Sequence, residues 1–136
     1  MLLYLSSQDS STYYPNNNSA DFRSYLSEPL QLTGQYVVSL IELYMPGLEV
    51  NEFPVLFVYC SLCEELLVGG VKKPVLRMCD ILDDNEIQRF PQLVHIPIRE
   101  QTVNEIRVYI NWPDGSTPSF KDNAATYCTL EITKLN

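Results

Sequence analysis

The sequence predicts an all-β domain, an antiparallel β-sandwich of jelly-roll type with seven to eight strands. Short apolar segments separated by turn residues run along the whole chain, which is typical of sandwiches and barrels. Two segments in the C-terminal third alternate cleanly between apolar and polar residues, as strands with one buried face do. No window shows a sustained apolar period of 3.6 residues, so any helix is expected to be short. Residues 1–136 are expected to form a single domain.

Turn residues divide the chain into eight expected strands, at 2–5, 21–27, 34–45, 55–62, 75–82, 93–98, 105–112 and 127–133. The polar segment Ser6 to Ala20 is expected to be a loop. Pro29 is expected to stop the second strand, because proline cannot donate to a sheet, and Gly69-Gly70 is expected to form a hairpin turn. The last two strands are each predicted to bury one face. In strand 105–112 this face consists of Ile106, Val108, Ile110 and Trp112. In strand 127–133 it consists of Cys128, Leu130 and Ile132.

The charge of the chain argues against two classes of partner. The net charge is −8, with only nine basic residues. Nucleic-acid binding depends on lysine and arginine side chains that neutralise phosphates, so direct binding to nucleic acid is not expected. The same charge disfavours an anionic membrane surface. The start of the chain, Met1 to Ser7, lacks the pattern of a signal peptide, so the protein is expected to be made in the interior of the host cell.

The four cysteines do not predict a metal site. Cys60 and Cys63 have the C-x-x-C spacing of metal and redox sites, but Cys79 and Cys128 stand alone, whereas structural zinc sites usually have two close pairs. If the strand continued to Cys63, the two sulfurs would point to opposite faces of the sheet. Buried free cysteines are therefore the expectation, with no metal and no cofactor.

Other candidate chemistry has a structural interpretation that is at least as good. His95, the one histidine, lies in an apolar stretch and is interpreted as a structural residue of a strand. A cysteine–histidine catalytic pair has no local signature here. The acidic residues Asp80, Asp83, Asp84 and Glu86 lack the spacing of a calcium loop and are interpreted as a solvated turn. No catalytic residue is predicted, and the chain is not expected to be an enzyme.

Three aromatic residues are candidates for an interaction surface: Tyr13, Tyr14 and Trp112. The two tyrosines lie in a polar loop, and tyrosine provides a large contact area at a low cost in conformational entropy. The alternative is that these tyrosines pin their own loop onto the sandwich. Trp112 is a candidate if it is exposed at the end of its strand.

Several stretches resemble small proteins encoded by Maverick/Polinton elements and their adintovirus-like relatives. The resemblance covers nearly the whole chain, and several of its pieces are generic strand-and-turn signals. It lies in Ser6-Ser7 with Ser10, Tyr13-Tyr14-Pro15-Asn16-Asn17, Asp21-Phe22 with Leu26, 29–38, 58–64, Val68-Gly69 with Pro74-Val75-Leu76-Arg77, and 106–110 with Asp114-Gly115-Ser116 and Phe120. The resemblance implies a jelly-roll component of a virion or virus-like particle, with a vertex, spike, cement or minor capsid role. No catalytic residue is carried over from the family.

The leading functional hypothesis is therefore a structural protein of a virion or virus-like particle. Its partners would be copies of itself, in a homo-oligomer, and other capsid proteins. This hypothesis predicts an exposed apolar or aromatic patch. The alternative is a monomeric β-sandwich that binds a receptor or a carbohydrate. A third hypothesis, an enzyme built on Cys60, Cys63 or His95, requires a reactive thiol in a cleft beside the histidine.

Overall fold

The computed structural model describes residues 1–81, 87–99, 101–121 and 124–136. The described residues form eleven strands and no helix: β1 (Leu2–Ser6), β2 (Asp21–Leu32), β3 (Tyr36–Tyr44), β4 (Val55–Cys60), β5 (Leu66–Val68), β6 (Val71–Lys73), β7 (Val75–Asp80), β8 (Ile87–Arg89), β9 (Ile96–Ile98), β10 (Gln101–Asn111) and β11 (Tyr127–Lys134). The predicted all-β class is confirmed. Each of the eight predicted segments contains a strand, and the additional strands β5, β6 and β8 are three residues each.

The strands form two antiparallel sheets and a separate hairpin. One sheet has the order β1-β11-β3-β8, with β9 also paired to β3, the other has the order β2-β10-β4-β7, and β5 pairs with β6. The pairing is nested along the chain, since β1 pairs with β11, β2 with β10, β3 with β9 and β4 with β7. A long hairpin rolled up on itself gives this nesting, which is the jelly-roll arrangement of eight strand positions in two sheets.

The core lies between the two sheets and is built from the predicted inward faces. Ile106, Val108 and Ile110 of β10 are fully buried, and the inward residues of β11 are at most 4 % exposed. Side chains of β2, β3, β4 and β7 complete the core, among them Phe22, Val38, Leu40, Leu56, Val58 and Leu76. Alternation along β10 and β11 predicted these faces because successive side chains of a strand point to opposite sides.

The prediction that Pro29 stops the second strand is wrong. β2 continues through Pro29 to Leu32. β2 is an edge strand, so one side of its backbone needs no partner, and the pairing with β10 shifts between Val103 and Glu105, opposite this stretch. Proline is tolerated at an edge and at an irregularity of this kind, since no ladder hydrogen bond is lost there. Because β2 continues to Leu32, which pairs with Gln101, β10 begins at Gln101, four residues before the predicted start.

Several other predicted strands are shorter than expected, among them β4, β7 and β9. β4 ends at Cys60, where a turn begins in which the Cys63 amide donates to the Cys60 carbonyl at 3.1 Å. β9 covers only Ile96–Ile98, so His95 precedes the strand rather than belonging to it. β7 ends at Asp80, and the predicted acidic turn at 83–86 lies outside the described residues.

The Gly69-Gly70 turn is confirmed and connects two strands that sequence reasoning did not assign. Both glycines have positive φ, 58° and 81°, as a two-residue hairpin turn of type I′ requires. Val68 and Val71 pair directly across the turn. The resulting β5–β6 hairpin forms the connection between β4 and β7.

Candidate functional site

The polar segment between β1 and β2 is fixed by hydrogen bonds within the chain. The Ser10 carbonyl accepts hydrogen bonds from the Tyr13 and Tyr14 amides at 3.1 and 2.9 Å, and its hydroxyl accepts one from the Tyr25 amide at 3.0 Å. Ser7 and Thr126 are joined by two further bonds of 3.0 and 2.9 Å. The segment is a loop, as predicted, and these hydrogen bonds hold its backbone against β2 and the residue before β11.

The two candidate tyrosines of this loop both contact the β2–β10 sheet. Tyr13 stacks on Tyr25 of β2, with ring centroids 4.3 Å apart and an angle of 17° between the planes, yet it stays 62 % exposed. The Tyr14 hydroxyl donates to Glu105 of β10 at 2.6 Å. This hydrogen bond to a carboxylate raises the pKa of Tyr14. The structure therefore supports the pinned-loop alternative for Tyr14, while Tyr13 both packs on the sheet and presents a ring to solvent.

Trp112 does not belong to any exposed surface. It is 2 % exposed and packs against Phe53, with ring centroids 5.7 Å apart. Trp112 continues the inward-facing series of β10 one residue beyond the end of the strand, so its indole enters the core. Its candidate role as an interaction residue is corrected accordingly, whereas the prediction that it faces inward is confirmed.

Charged side chains on the outer face of the β2–β10 sheet are paired with one another. The Arg107 guanidinium donates to both carboxylate oxygens of Asp21, at 2.9 and 2.7 Å, and lies 4.2 Å from the Tyr109 ring centroid. Arg23 lies 3.3 Å from Glu105. The Asp21 hydrogen bonds raise the pKa of Arg107. These pairs leave the outer face next to the tyrosine loop without net charge.

The C-x-x-C thiols lie together in the core, which differs from the opposite-face geometry considered for a continuous strand. The turn after Cys60 folds Cys63 back, and the two thiols are hydrogen-bonded to each other. Both are at most 1 % exposed. The shared proton raises the pKa of Cys63 and lowers that of Cys60, an effect that burial of Cys60 opposes. All four cysteines are free and buried, which confirms the expectation of buried free cysteines.

His95 lies outside the core and directly before β9. Its side chain is exposed, and Nδ1 is 2.9 Å from the hydroxyl of the buried Ser39. The interpretation of His95 as a strand residue is wrong by one position, because β9 begins at Ile96, while its contact with Ser39 agrees with a structural role. Cys60 is buried, so the structure does not bring these two residues together in an accessible cleft, as the enzyme hypothesis requires.

The buried thiol of Cys79 is expected to make the folded protein less stable at alkaline pH. Burial raises the pKa of Cys79 from 9.0 to about 12. The folded chain keeps this thiol protonated while the unfolded chain ionises it, so the free energy of unfolding is expected to fall between pH 9 and pH 12, by about 1.4 kcal/mol per pH unit for one thiol. Chemical unfolding at a series of pH values measures this. A Cys79→Ala variant, which lacks the thiol, is expected to show the shallower slope, and equal slopes would contradict the buried-thiol assignment.

Exposed apolar side chains surround the β5–β6 hairpin. We define the hairpin surface as five exposed apolar side chains with their exposed fractions: Leu66 (41 %), Leu67 (70 %), Val71 (56 %), Met78 (56 %) and Val94 (44 %). Four of the five line one groove, of about 560 Å³, together with Phe57, Val75 and Ile96. The groove lies beside β7, the edge strand of its sheet.

The segment 64–80, which contributes four of the five residues of the hairpin surface, has no net formal charge. Residues 64–80 contain three basic side chains, Lys72, Lys73 and Arg77, and three acidic ones, Glu64, Glu65 and Asp80. The whole chain, in contrast, has a net charge of −8. Sequence reasoning missed this surface because Leu66, Met78 and Val94 belong to separate segments. The one local signal was the apolar stretch 66–68 directly before the glycine turn.

Comparison with protein-family models, with curated proteins and with solved structures finds no match to this chain. Within the described ranges, no helix is long and apolar enough to cross a membrane.

Proposed function

We propose that this protein is a structural component of a virion or virus-like particle, and that it acts by associating with copies of itself and with other capsid proteins. The hairpin surface is the observation that carries the proposal. Large apolar side chains exposed in one contiguous area are characteristic of surfaces that are covered by a partner. The jelly-roll fold agrees with this role, since capsid domains commonly use it, although a fold alone does not assign a function.

The shape of the hairpin surface suits association better than a flat patch would. Leu67 lines the groove beside β7, and 70 % of its surface is exposed. A concave apolar site with exposed side chains in its own wall can be covered by the same surface of a second copy. Closed symmetric assemblies form when one surface contacts its own copy in this way, so a homo-oligomer is the expected product.

The charge distribution favours the same location. Two copies of a chain with a net charge of −8 repel each other when their acidic surfaces meet. At residues 64–80 the balanced charges remove this repulsion. The edge strand β7 adds backbone donors and acceptors on its unpaired side, which can form hydrogen bonds to a partner strand.

The experiment that tests the proposal compares two variants that add the same charge at different places. Leu67→Asp places a carboxylate in the hairpin surface, and Val50→Asp places one at an apolar residue that is 63 % exposed and does not line the groove. Sedimentation velocity of the wild type and both variants over a concentration series measures association, and circular dichroism verifies the fold. Both sites are exposed, so neither change is expected to unfold the domain.

Leu67→Asp is expected to weaken self-association about tenfold or more, because a carboxylate in an apolar contact must lose its water. Val50→Asp is expected to leave association unchanged. Equal sedimentation of the wild type and Leu67→Asp would contradict the assignment of the hairpin surface, and an equal loss in both variants would show that charge alone controls association.

A further inference from the structure

A second site, separate from the hairpin surface, is formed by the tyrosine loop and the start of β2. It is a cavity of about 320 Å³ lined by Tyr13, Tyr14, Pro15, Asn16, Asn17, Asp21 and Arg23. This volume is at the lower end of the range for small-molecule sites. The cavity is open at the surface, and aromatic and other apolar groups line it together with amide, hydroxyl and charged groups. Such a lining is suited to a ligand that offers several hydroxyl groups and an apolar face.

The Tyr13 ring provides a rigid aromatic platform at this cavity. One face of the ring is stacked on Tyr25 at 4.3 Å, and 62 % of the side chain remains exposed. The face of an aromatic ring carries partial negative charge, and it attracts the partially positive C–H groups of a sugar ring. Stacking on Tyr25 fixes the platform in advance, so that little side-chain entropy remains to be lost when a ligand binds.

The loop that carries this platform is also fixed in advance. The hydrogen bonds to Ser10 hold the backbone at Tyr13 and Tyr14. The Asn17 side-chain amide donates to the Arg23 backbone carbonyl at 2.8 Å, and its oxygen accepts from the Arg23 backbone amide at 2.9 Å. Asn16 is exposed at the mouth of the cavity, where its amide can both donate and accept hydrogen bonds. A fixed loop with an accessible amide beside an aromatic ring is a preorganised binding site.

The paired charges favour an uncharged ligand over an anionic one. Asp21 is held by Arg107, and Arg23 lies against Glu105, which also accepts the Tyr14 hydroxyl. A ligand with a phosphate, sulfate or carboxylate would therefore have to break an existing ion pair to find a cation. The net charge of −8 adds a further repulsion toward anionic ligands.

We propose that this cavity binds an uncharged saccharide, with a pyranose ring stacked on Tyr13 and its hydroxyl groups bonded to Asn16 and the neighbouring polar groups. The proposal is independent of the hairpin surface, because the two sites share no lining residue. An assembled protein would then present many copies of a weak glycan site, and multivalent attachment would increase the overall avidity.

The test uses an array of immobilised glycans in three classes, uncharged, sialylated and sulfated, probed with the wild-type protein and with variants. Retention of uncharged glycans is expected, with a loss of about tenfold or more in Tyr13→Ala, as for removal of a stacked aromatic ring elsewhere. Tyr4→Ala is the matched control, since Tyr4 is 72 % exposed and lies on the other sheet. It is expected to bind as the wild type does.

Asn16→Lys provides a second variant in case Tyr13→Ala disturbs the fold, since it changes only an exposed side chain at the cavity mouth. It is expected to reduce retention of uncharged glycans as well. Three results would overturn the proposal: no glycan of any class is retained, only sialylated or sulfated glycans are retained, or retention is the same in the wild type and both variants. Loss of self-association in Tyr13→Ala would instead assign the tyrosine platform to a protein contact.

Discussion

Replacing Trp112 by alanine is expected to lower the free energy of unfolding by about 3–5 kcal/mol, the range for removing a large buried aromatic side chain. The indole is 2 % exposed and packs on Phe53 at the end of the core. Its backbone amide and carbonyl also close the following turn, with bonds of 2.9 Å to Ser116 and from Gly115. Urea unfolding followed by far-UV circular dichroism measures the effect, because the variant has no tryptophan left for fluorescence.

A Trp112→Phe variant separates loss of packing from loss of the aromatic ring. It keeps the contact with Phe53 and is expected to cost less than Trp112→Ala. In the wild type, unfolding is expected to shift the tryptophan emission to longer wavelength, since the one indole moves from the core into water. A loss of about 0.5 kcal/mol or less in Trp112→Ala, the scale of surface substitutions, would show that Trp112 is exposed and return it to the candidate interaction residues.

Ile110→Ala is expected to destabilise the domain by about 2–5 kcal/mol. Ile110 is fully buried, and β10 is an inner strand of its sheet, between β2 and β4. The cavity left by the missing atoms cannot be filled by movement of an edge strand. Unfolding in denaturant measures the change, provided that the slope of the unfolding free energy against denaturant concentration is the same in the wild type and the variant.

The neighbouring Asn111→Ala is the matched control for Ile110→Ala. Asn111 is the next residue of the same strand, so its side chain points to the opposite face. Its replacement is expected to change stability by about 0.5 kcal/mol or less, as at other surface positions. A larger loss at Asn111 than at Ile110 would mean that the two faces of β10 are assigned the wrong way round.

Alternation made the two-sheet fold predictable, while strand ends depended on features that the local sequence does not contain. Ile106, Val108 and Ile110 recur every second residue, so both the strand and its buried face follow from the pleat. Pro29 indicated a strand end, yet at an edge strand its missing amide hydrogen costs nothing. Whether a strand lies at an edge is decided by the order of strands in the sheet, which local pattern does not specify.

The candidate sites were less predictable than the fold, for the same reason. The tyrosine loop was found because Tyr13 and Tyr14 are adjacent in the chain, but their partners Tyr25 and Glu105 are set by tertiary packing. The hairpin surface joins residues from three segments, and a three-residue strand is too short to show alternation. Cys60 and Cys63 lie together because a turn starts at Cys60. The apolar residues before Cys60 indicate a strand but do not indicate where that strand ends.

Static light scattering of the purified protein tests the central claim of self-association most directly. The chain has a mass of 15.6 kDa, so each assembled state has a mass that is a multiple of this value. We expect the mean mass to rise with concentration to a discrete oligomer, and Leu67→Asp to shift that rise to higher concentration. A mass of one chain at every concentration up to about 1 mM, where even weak association is populated, would contradict the claim.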